Sequence, residues 1–196
     1  MLRRSRVAGD SGGMARPSFV DGCGHQRVGR TVRRLDLALL RVLRTRGHEP
    51  RVERAVLLFT RAGEHGLLWQ GLCLVGAVVD GRRRRLYLRA MRTVMLAYLA
   101  NIALKYVVRR PRPVLEDLPA LSSTVTSLSF PSAHSTTSFA AAWALTRGHD
   151  NLPVVPVYAL AKAMALSRIY AGVHYPTDIL AGAAYGTALA SLLDPR

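Results

Sequence analysis

Four long apolar segments, separated by polar breaks, constrain the fold of this chain more than any other feature. We predict helices over residues 89–108, 132–146, 152–170 and 176–193, and a further apolar helix over residues 67–80. Apolar segments of this length are typical of helices that cross or enter a lipid bilayer. The sequence therefore predicts an all-α fold, an integral-membrane bundle of about five to six helices.

The charge of the chain is unusual for so apolar a sequence. Hydrophobic residues make up 49% of the 196 residues, yet the formal net charge is +16. Arginine is concentrated in loops and at the ends of apolar segments, as in membrane proteins. A nucleic-acid-binding protein would instead be polar overall, with a basic face. We therefore expect a membrane, and no nucleic acid, as a partner.

The N-terminal region differs from the apolar segments. We expect residues 1–30 to be a disordered basic tail and residues 31–62 to form amphipathic helices at the membrane interface. Over residues 32–46, apolar residues recur at helical spacing and arginines fill the other positions. Such a helix is expected to lie among lipid headgroups and to contact anionic lipid. A soluble surface helix packed on the core is the alternative.

Three smaller features concern the cysteines, the N-terminus and one turn. Cys23 and Cys73 lack the spacing of a metal or redox motif, so we expect no disulfide. The N-terminus lacks the apolar core of a cleavable signal peptide. Glu64 and His65 stand between two glycines, which predicts a turn. We expect them to be polar residues at a helix junction rather than site residues.

Alternating crossings bring three polar stretches to one face of the membrane. These are residues 105–113, 131–134 and 167–178, each at the end of a predicted helix. The densest basic loop, residues 82–85, is expected to be cytoplasmic, so the three stretches are extracytoplasmic. The side of the N-terminus stays open, because residues 52–80 fit either one crossing or a re-entrant pair.

The three stretches carry groups suited to binding a phosphoryl anion. Lys105, Arg112 and Arg168 offer an ammonium and two guanidinium groups. Ser132 and Ala133 lie at the start of a helix, where a hydroxyl and free backbone amides favour an anion. Together these groups indicate a cradle for phosphate.

Two histidines complete the constellation. His174 lies four residues before Asp178, and that carboxylate can accept from one imidazole nitrogen and leave the other as a nucleophile. His134, in the first turn of its helix, can give a proton to the leaving oxygen. The sequence thus predicts hydrolysis of a phosphomonoester through a phosphohistidine. No carboxylate cluster is available for Mg²⁺ or Zn²⁺, so we expect no metal and no other cofactor.

These stretches resemble the signatures of the type 2 phosphatidic acid phosphatase (PAP2) superfamily. The patterns K-x6-R-P, P-S-x-H and S-R-x5-H-x3-D match in every spacing over about residues 63–193, with Ala133 where the family usually has glycine. The resemblance implies a PAP2-type membrane phosphatase domain over residues 63–196. It implies His174 as nucleophile, Asp178 as its partner and His134 as general acid. It implies that phosphate is bound by Lys105, Arg112, Ser132, Ala133 and Arg168.

Within the superfamily, the compact apolar chain is similar to the bacterial membrane branch. It is also similar to actinobacterial decaprenylphosphoryl-phosphoribose phosphatases of cell-wall precursor synthesis, which implies a polyprenyl-type lipid phosphate as substrate. Undecaprenyl diphosphate, phosphatidylglycerophosphate and phosphatidic acid are alternative substrates. Phosphoryl transfer to another acceptor is an alternative reaction, and a non-enzymatic basic membrane adaptor is an alternative role. The sequence leaves the oligomeric state open.

Overall fold

All regular secondary structure in the described part of the chain is helical. The computed structural model describes residues 22–45, 48–148 and 150–194, and within them the all-α prediction is confirmed. Two short 3-10 turns lie at Glu64–Gly66 and Gly81–Arg83. The α-helices are α1 (Gly22–Arg44), α2 (Pro50–Ala62), α3 (Leu67–Val79), α4 (Arg84–Val108), α5 (Ala133–Thr146), α6 (Val154–Tyr170) and α7 (Pro176–Leu193).

The first helix begins earlier than the sequence indicates. Residues 34–196 form one compact unit, and residues 1–33 belong to another. A disordered tail was expected through residue 30, whereas α1 already begins at Gly22. Its apolar and polar residues segregate around the helix, which favours helix formation. The earlier part of the predicted tail, residues 1–21, lies outside the described residues.

The fourth helix also begins earlier than predicted. It starts at Arg84, before the expected start at Arg89, so half of the predicted basic loop, Arg84 and Arg85, lies in this helix. Arginine is a good helix former, and it loses little side-chain freedom in a helix. The loop is reduced to the turn Gly81–Arg83, which Asp80 caps by accepting a hydrogen bond from the Arg83 amide at 3.4 Å.

The later helix boundaries follow local sequence signals. Helix α4 ends at Val108, and Arg109 then takes a left-handed conformation with φ 52° two residues before Pro111. Ser132 is the N-cap of α5, and its hydroxyl accepts from the Ser135 amide at 3.4 Å. Pro176 occupies the first turn of α7, where a missing amide proton has no cost.

Helix α5 is the centre of the bundle, because it packs against α4, α6 and α7. It is rich in alanine, serine and threonine, whose small side chains let helix backbones approach closely. A Cβ atom added at Gly182 of α7 would lie 2.6 Å from the Ser132 carbonyl oxygen. One added at Gly186 would collide with the Thr136 carbonyl oxygen. The contact between α5 and α7 is therefore made backbone to backbone.

The outer surface of the bundle is strongly apolar. By length and composition, one segment among the described residues, Gly81–Val108, could cross a membrane, and the apolar helix Glu64–Val79 is shorter. Large apolar side chains nonetheless face outward from several helices. Val78 of α3 is 77% exposed, Val155 of α6 is 79% exposed and Leu192 of α7 is 76% exposed. Such exposure is unusual for the surface of a water-soluble domain.

Candidate active site

A cavity of about 240 Å³ opens where α4 ends and α5 begins. Its wall includes side chains from each of the three polar stretches, which therefore meet as the alternation of helices predicts. Six of the eight residues singled out from the sequence line the cavity, namely Lys105, Arg112, Ala133, His134, Arg168 and His174.

The other two singled-out residues lie behind the wall of the cavity. Ser132 is fully buried, and its hydroxyl oxygen caps α5. Asp178 is also fully buried, and its Oδ2 accepts from the Tyr175 amide at 2.9 Å. That same oxygen lies 3.5 Å from His174 Nδ1. The His174 ring thus lies between Asp178 and the cavity.

His174 is held in one tautomer by its neighbours. The side chain lies in the loop before α7 and is 2% exposed. Arg112 Nη1 is 3.2 Å from His174 Nε2. A guanidinium group can only donate hydrogen bonds, so Nε2 accepts and carries no proton. The proton of the neutral ring is then on Nδ1, on the side of Asp178, and the Nε2 lone pair can act as a nucleophile.

Burial and positive charge both favour the neutral form of His174. Burial lowers the pKa of His174 well below its ordinary value, and the charges of Arg112, Arg168 and Lys105 lower it further. Burial also lowers the pKa of Arg112, to about 10, which leaves the guanidinium charged at neutral pH. A neutral imidazole therefore faces fixed cations.

The loop between α4 and α5 holds two of these cations in place. Lys105 Nζ donates to the Leu128 carbonyl at 3.1 Å. Arg112 Nε donates to the Thr126 carbonyl at 2.8 Å, and its Nη1 donates to the Val173 carbonyl at 2.7 Å. Because these acceptors are backbone atoms, the positions of the two cations depend on the path of the loop.

Thr60 of α2 joins the third cation to the second histidine. Arg168 Nη1 donates to Thr60 Oγ1 at 2.7 Å, and His134 Nε2 lies 3.0 Å from the Thr60 carbonyl oxygen. A carbonyl only accepts, so His134 Nε2 carries the proton. Thr60 was not predicted from the sequence, because a single hydroxyl residue in an otherwise apolar run does not by itself mark a site.

Arg168 also has a donor that no described residue satisfies. Its Nε is buried and, within the part of the chain that the structure describes, has no hydrogen-bond partner. A buried guanidinium donor left without an acceptor is unfavourable. An anion bound in the cavity would supply the missing acceptor.

Glu64 and His65 contribute to the opposite wall of the cavity. The predicted turn is present as the 3-10 turn Glu64–Gly66, in which His65 has φ 55°. His65 Nδ1 lies 2.5 Å from the Tyr98 hydroxyl oxygen. Both residues line the cavity, whereas the sequence analysis expected them to be polar residues of a helix junction.

Gly63 packs closely against the side chain of His134. A Cβ atom at Gly63 would lie 2.9 Å from His134 Cδ2 and would collide with the Met164 side chain. Only glycine fits this contact without a shift of the histidine ring.

The charge of the cavity suits an anion. Glu64 is the one acidic side chain among the described residues that line it, against three cations. Among residues 22–45, 48–148 and 150–194, no three His, Cys, Asp or Glu side chains are grouped as metal ligands.

Comparisons with known proteins show which family this chain belongs to. Residues 86–193 match the PAP2 superfamily. Decaprenylphosphoryl-5-phosphoribose phosphatase of Mycobacterium tuberculosis is 43% identical over 136 residues, which cover 67% of this chain and 73% of that protein.

Two solved structures have the same fold. LpxE of Aquifex aeolicus is 27% identical and superposes with a TM-score of 0.68, covering 81% of this chain and 94% of that chain. A transmembrane PAP2-type phosphatidylglycerolphosphate phosphatase from Bacillus subtilis is 24% identical, again with a TM-score of 0.68, and covers 83% of this chain and 84% of that chain.

Proposed function

Because the chain belongs to the PAP2 superfamily and is a phosphoric monoester hydrolase, we propose that it hydrolyses a membrane lipid phosphate through a phosphohistidine. One observation carries the proposed mechanism. Arg112 Nη1 lies 3.2 Å from His174 Nε2 in a cavity lined by cations, and because a guanidinium group only donates, Nε2 accepts and keeps its lone pair. A nucleophile beside a preformed anion site is the arrangement that phosphoryl transfer requires.

The first half of the reaction transfers the phosphoryl group to the enzyme. His174 Nε2 attacks phosphorus, and the new P–N bond forms as the P–O bond to the substrate's alcohol oxygen breaks. Asp178 stabilises the positive charge that develops on the ring. His134, protonated on both ring nitrogens once the anionic substrate is bound, gives its Nε2 proton, which in the free enzyme faces the Thr60 carbonyl, to the leaving oxygen and stays neutral through its Nδ1 proton.

The second half regenerates the enzyme. His134, now unprotonated at Nε2, takes a proton from a water molecule as that water attacks phosphorus. The P–N bond breaks, inorganic phosphate leaves, and His174 returns to its neutral form. One proton has thus moved from water to the alcohol product through His134.

Phosphate binding is assigned to the cations and to the start of α5. Lys105, Arg112 and Arg168 neutralise the phosphate oxygens, and Arg168 Nε gains the acceptor that it lacks in the free protein. The backbone amide of Ala133 adds a donor at the helix N-terminus. The hydroxyl oxygen of Ser132 accepts in the cap, which leaves its proton free to be donated to phosphate.

The proposed substrate is a polyprenyl phosphate ester of a sugar phosphate, such as decaprenylphosphoryl-5-phosphoribose. Its support is the name of the Mycobacterium tuberculosis relative at 43% identity. We propose that this reaction belongs to the synthesis of a cell-wall precursor.

The bundle is proposed to be embedded in the cell membrane. The outward-facing apolar side chains of α3, α6 and α7 would contact lipid tails. Residues 63–196 are proposed as the catalytic domain, and residues 31–62 as an interfacial segment. In α1, Leu35, Leu39 and Val42 are exposed beside arginines, which suits contact with anionic lipid headgroups.

The active site is proposed to face the extracytoplasmic side. The cavity lies at the Val108 end of α4, and the arginines that begin α4 lie at the other end. Basic residues favour the cytoplasmic side. In a Cys23→Ser background, a membrane-impermeant thiol reagent should label Val114→Cys in intact spheroplasts and should leave Arg82→Cys unlabelled. The reverse pattern would place the site inside.

Phosphate release from defined lipids tests the proposed function. Protein purified in detergent should hydrolyse decaprenylphosphoryl-5-phosphoribose in EDTA, and faster than phosphatidic acid. His174→Ala should lose this activity while keeping the wild-type elution volume and melting temperature. Hydrolysis that persists in His174→Ala would rule out the phosphohistidine, and a preference for phosphatidic acid would rule out the proposed substrate.

A further inference from the structure

A chain of partly buried ion pairs links the N-terminal helix to the carboxylate behind the nucleophile. Arg110 Nη1 donates to Asp178 Oδ1 at 2.8 Å, and Arg110 Nη2 donates to Asp36 Oδ2 at 2.7 Å. The Asp178 side chain is 0% exposed and the Asp36 side chain is 2% exposed. One guanidinium group therefore bridges two carboxylates that water does not reach.

Asp36 is tied to the same turn of α7 by further contacts. Its Oδ1 accepts from the Thr177 amide at 3.0 Å, and its Oδ2 accepts from the Thr177 hydroxyl. The guanidinium carbon of Arg110 lies 4.0 Å from the centre of the Tyr175 ring. Asp36 therefore contacts Thr177, and Arg110 contacts Tyr175. These are the residues on either side of Pro176, in the turn that precedes Asp178.

These contacts fix the orientation of the Asp178 carboxylate. Arg110 occupies Oδ1, while Oδ2 accepts from the Tyr175 amide and lies 3.5 Å from His174 Nδ1. A turn of the carboxylate about its Cβ–Cγ bond would break its hydrogen bonds to Arg110 and to the Tyr175 amide. Because Arg110 holds Oδ1, it is Oδ2 that faces the imidazole of His174.

We infer that Arg110 and Asp36 are positioning residues for the His174–Asp178 pair, and that α1 therefore contributes to the active site. The inference rests on the proposed role of His174 as nucleophile. Neither residue lines the cavity, so they act through Asp178 rather than on the substrate. Asp36 lies outside residues 86–193, the part of the chain that matches the PAP2 superfamily.

The alternative is that the ion pairs only anchor α1 to the bundle. The two roles differ in what a variant loses. A misplaced carboxylate slows the reaction of every folded molecule, whereas a lost anchor lowers the number of folded molecules. Rapid-quench measurement of the phosphoenzyme separates these effects, because the burst amplitude counts active sites and the burst rate constant reports the chemistry at each site.

The test compares Arg110→Gln, Arg110→Lys and Asp36→Asn in the full-length protein. Arg110→Gln should lower the burst rate constant per site on the order of 100-fold with little change in KM, because a small misplacement of reacting groups costs about that much. Arg110→Lys should recover part of the rate, since an ammonium supplies charge but cannot span both carboxylates. Asp36→Asn should have a smaller effect than Arg110→Gln.

A matched control and a double variant complete the experiment. Arg82→Gln removes an arginine from an exposed ion pair with Asp150 at the opposite end of α4, and its burst rate constant should equal that of the wild type. Asp36→Asn combined with Arg110→Gln should be no slower than Arg110→Gln alone, because both act through the same carboxylate.

The outcomes separate this inference from the proposed function. Wild-type burst rate constants at reduced amplitude in the Arg110 variants would mean that the ion pairs only stabilise the fold. Independent, multiplicative effects of the two substitutions would also overturn the inference. A wild-type protein that forms no phosphoenzyme would overturn the proposed function and this inference together.

Discussion

Arg112 Nη1 lies 3.2 Å from His174 Nε2, so a fixed cation contacts the atom that we propose to attack phosphorus. The same nitrogen donates to the Val173 carbonyl at 2.7 Å, in the residue directly before the histidine. Backbone and side chain of the nucleophile are thus held by one guanidinium group. The contact selects the unprotonated state of Nε2 and keeps a positive charge where the phosphate oxygens must arrive.

This contact predicts activity in unusually acid solution. Protonated His174 cannot attack, and its pKa lies well below the ordinary value of 6.5 because of burial and of Arg112. As the pH falls through 6.5, kcat/KM for the free enzyme should persist, and it should decline only at lower pH. Arg112→Gln should move this acid limb upward, since a neighbouring cation is lost. A wild-type limb at or above the ordinary histidine pKa would contradict the prediction.

The two lysines of the chain provide a matched pair of variants. Lys105 lines the cavity, whereas Lys162 is exposed on α6. Lys105→Met should lower kcat/KM on the order of 100-fold, because a fixed cation for the transition-state charge is removed. Lys162→Met should leave kcat/KM unchanged. Both can be measured with the same lipid phosphate, and equal losses would show that the effect is not specific to the site.

Two buried threonines test the role of α2. Thr60→Val removes the acceptor of Arg168 Nη1 without changing the shape of the side chain, and kcat/KM should fall about tenfold or more, as expected for a lost hydrogen bond to a charged group. Thr93 is also buried, but its hydroxyl has no hydrogen-bond partner in the described chain. Thr93→Val should therefore leave kcat/KM and melting temperature unchanged or slightly raised. Wild-type activity in Thr60→Val would show that Arg168 needs no support from α2.

Two glycines test the packing beneath His134. Gly63→Ala forces a methyl group against His134 and Met164, and overpacking of this kind typically costs about 1–3 kcal/mol. Both the melting temperature and kcat should fall. Gly71 in α3 has nothing within 4 Å of an added Cβ, so Gly71→Ala should raise stability by up to about 1 kcal/mol through helix propensity. Thermal unfolding in detergent and initial rates measure both effects.

The residues that local signals mark were predictable from the sequence. Ser132 and Pro176 mark helix starts, and Pro111 marks the end of the preceding helix, so α5, α7 and the end of α4 were expected close to where they lie. Once these ends were set, alternation of the helices was enough to bring His134 and His174 to one cavity.

The residues that act at long range were not predictable. Asp36 and Thr60 each contact groups more than seventy positions away in the chain, and a single polar residue on an amphipathic helix looks the same whether it faces water or the core. Arg110 stands among other arginines, so its bridging role has no signature. The early start of α4 was missed because arginine favours both helices and cytoplasmic loops.

The contact between the α5 and α7 backbones fixes the spacing of two site residues. Gly182 lies against the Ser132 carbonyl and Gly186 against Thr136, so the two helices approach closely at these glycines. Helix α5 carries His134, and α7 carries Asp178. A larger side chain at either glycine would push the helices apart, and it would therefore separate the histidine that we propose as general acid from the carboxylate behind the nucleophile.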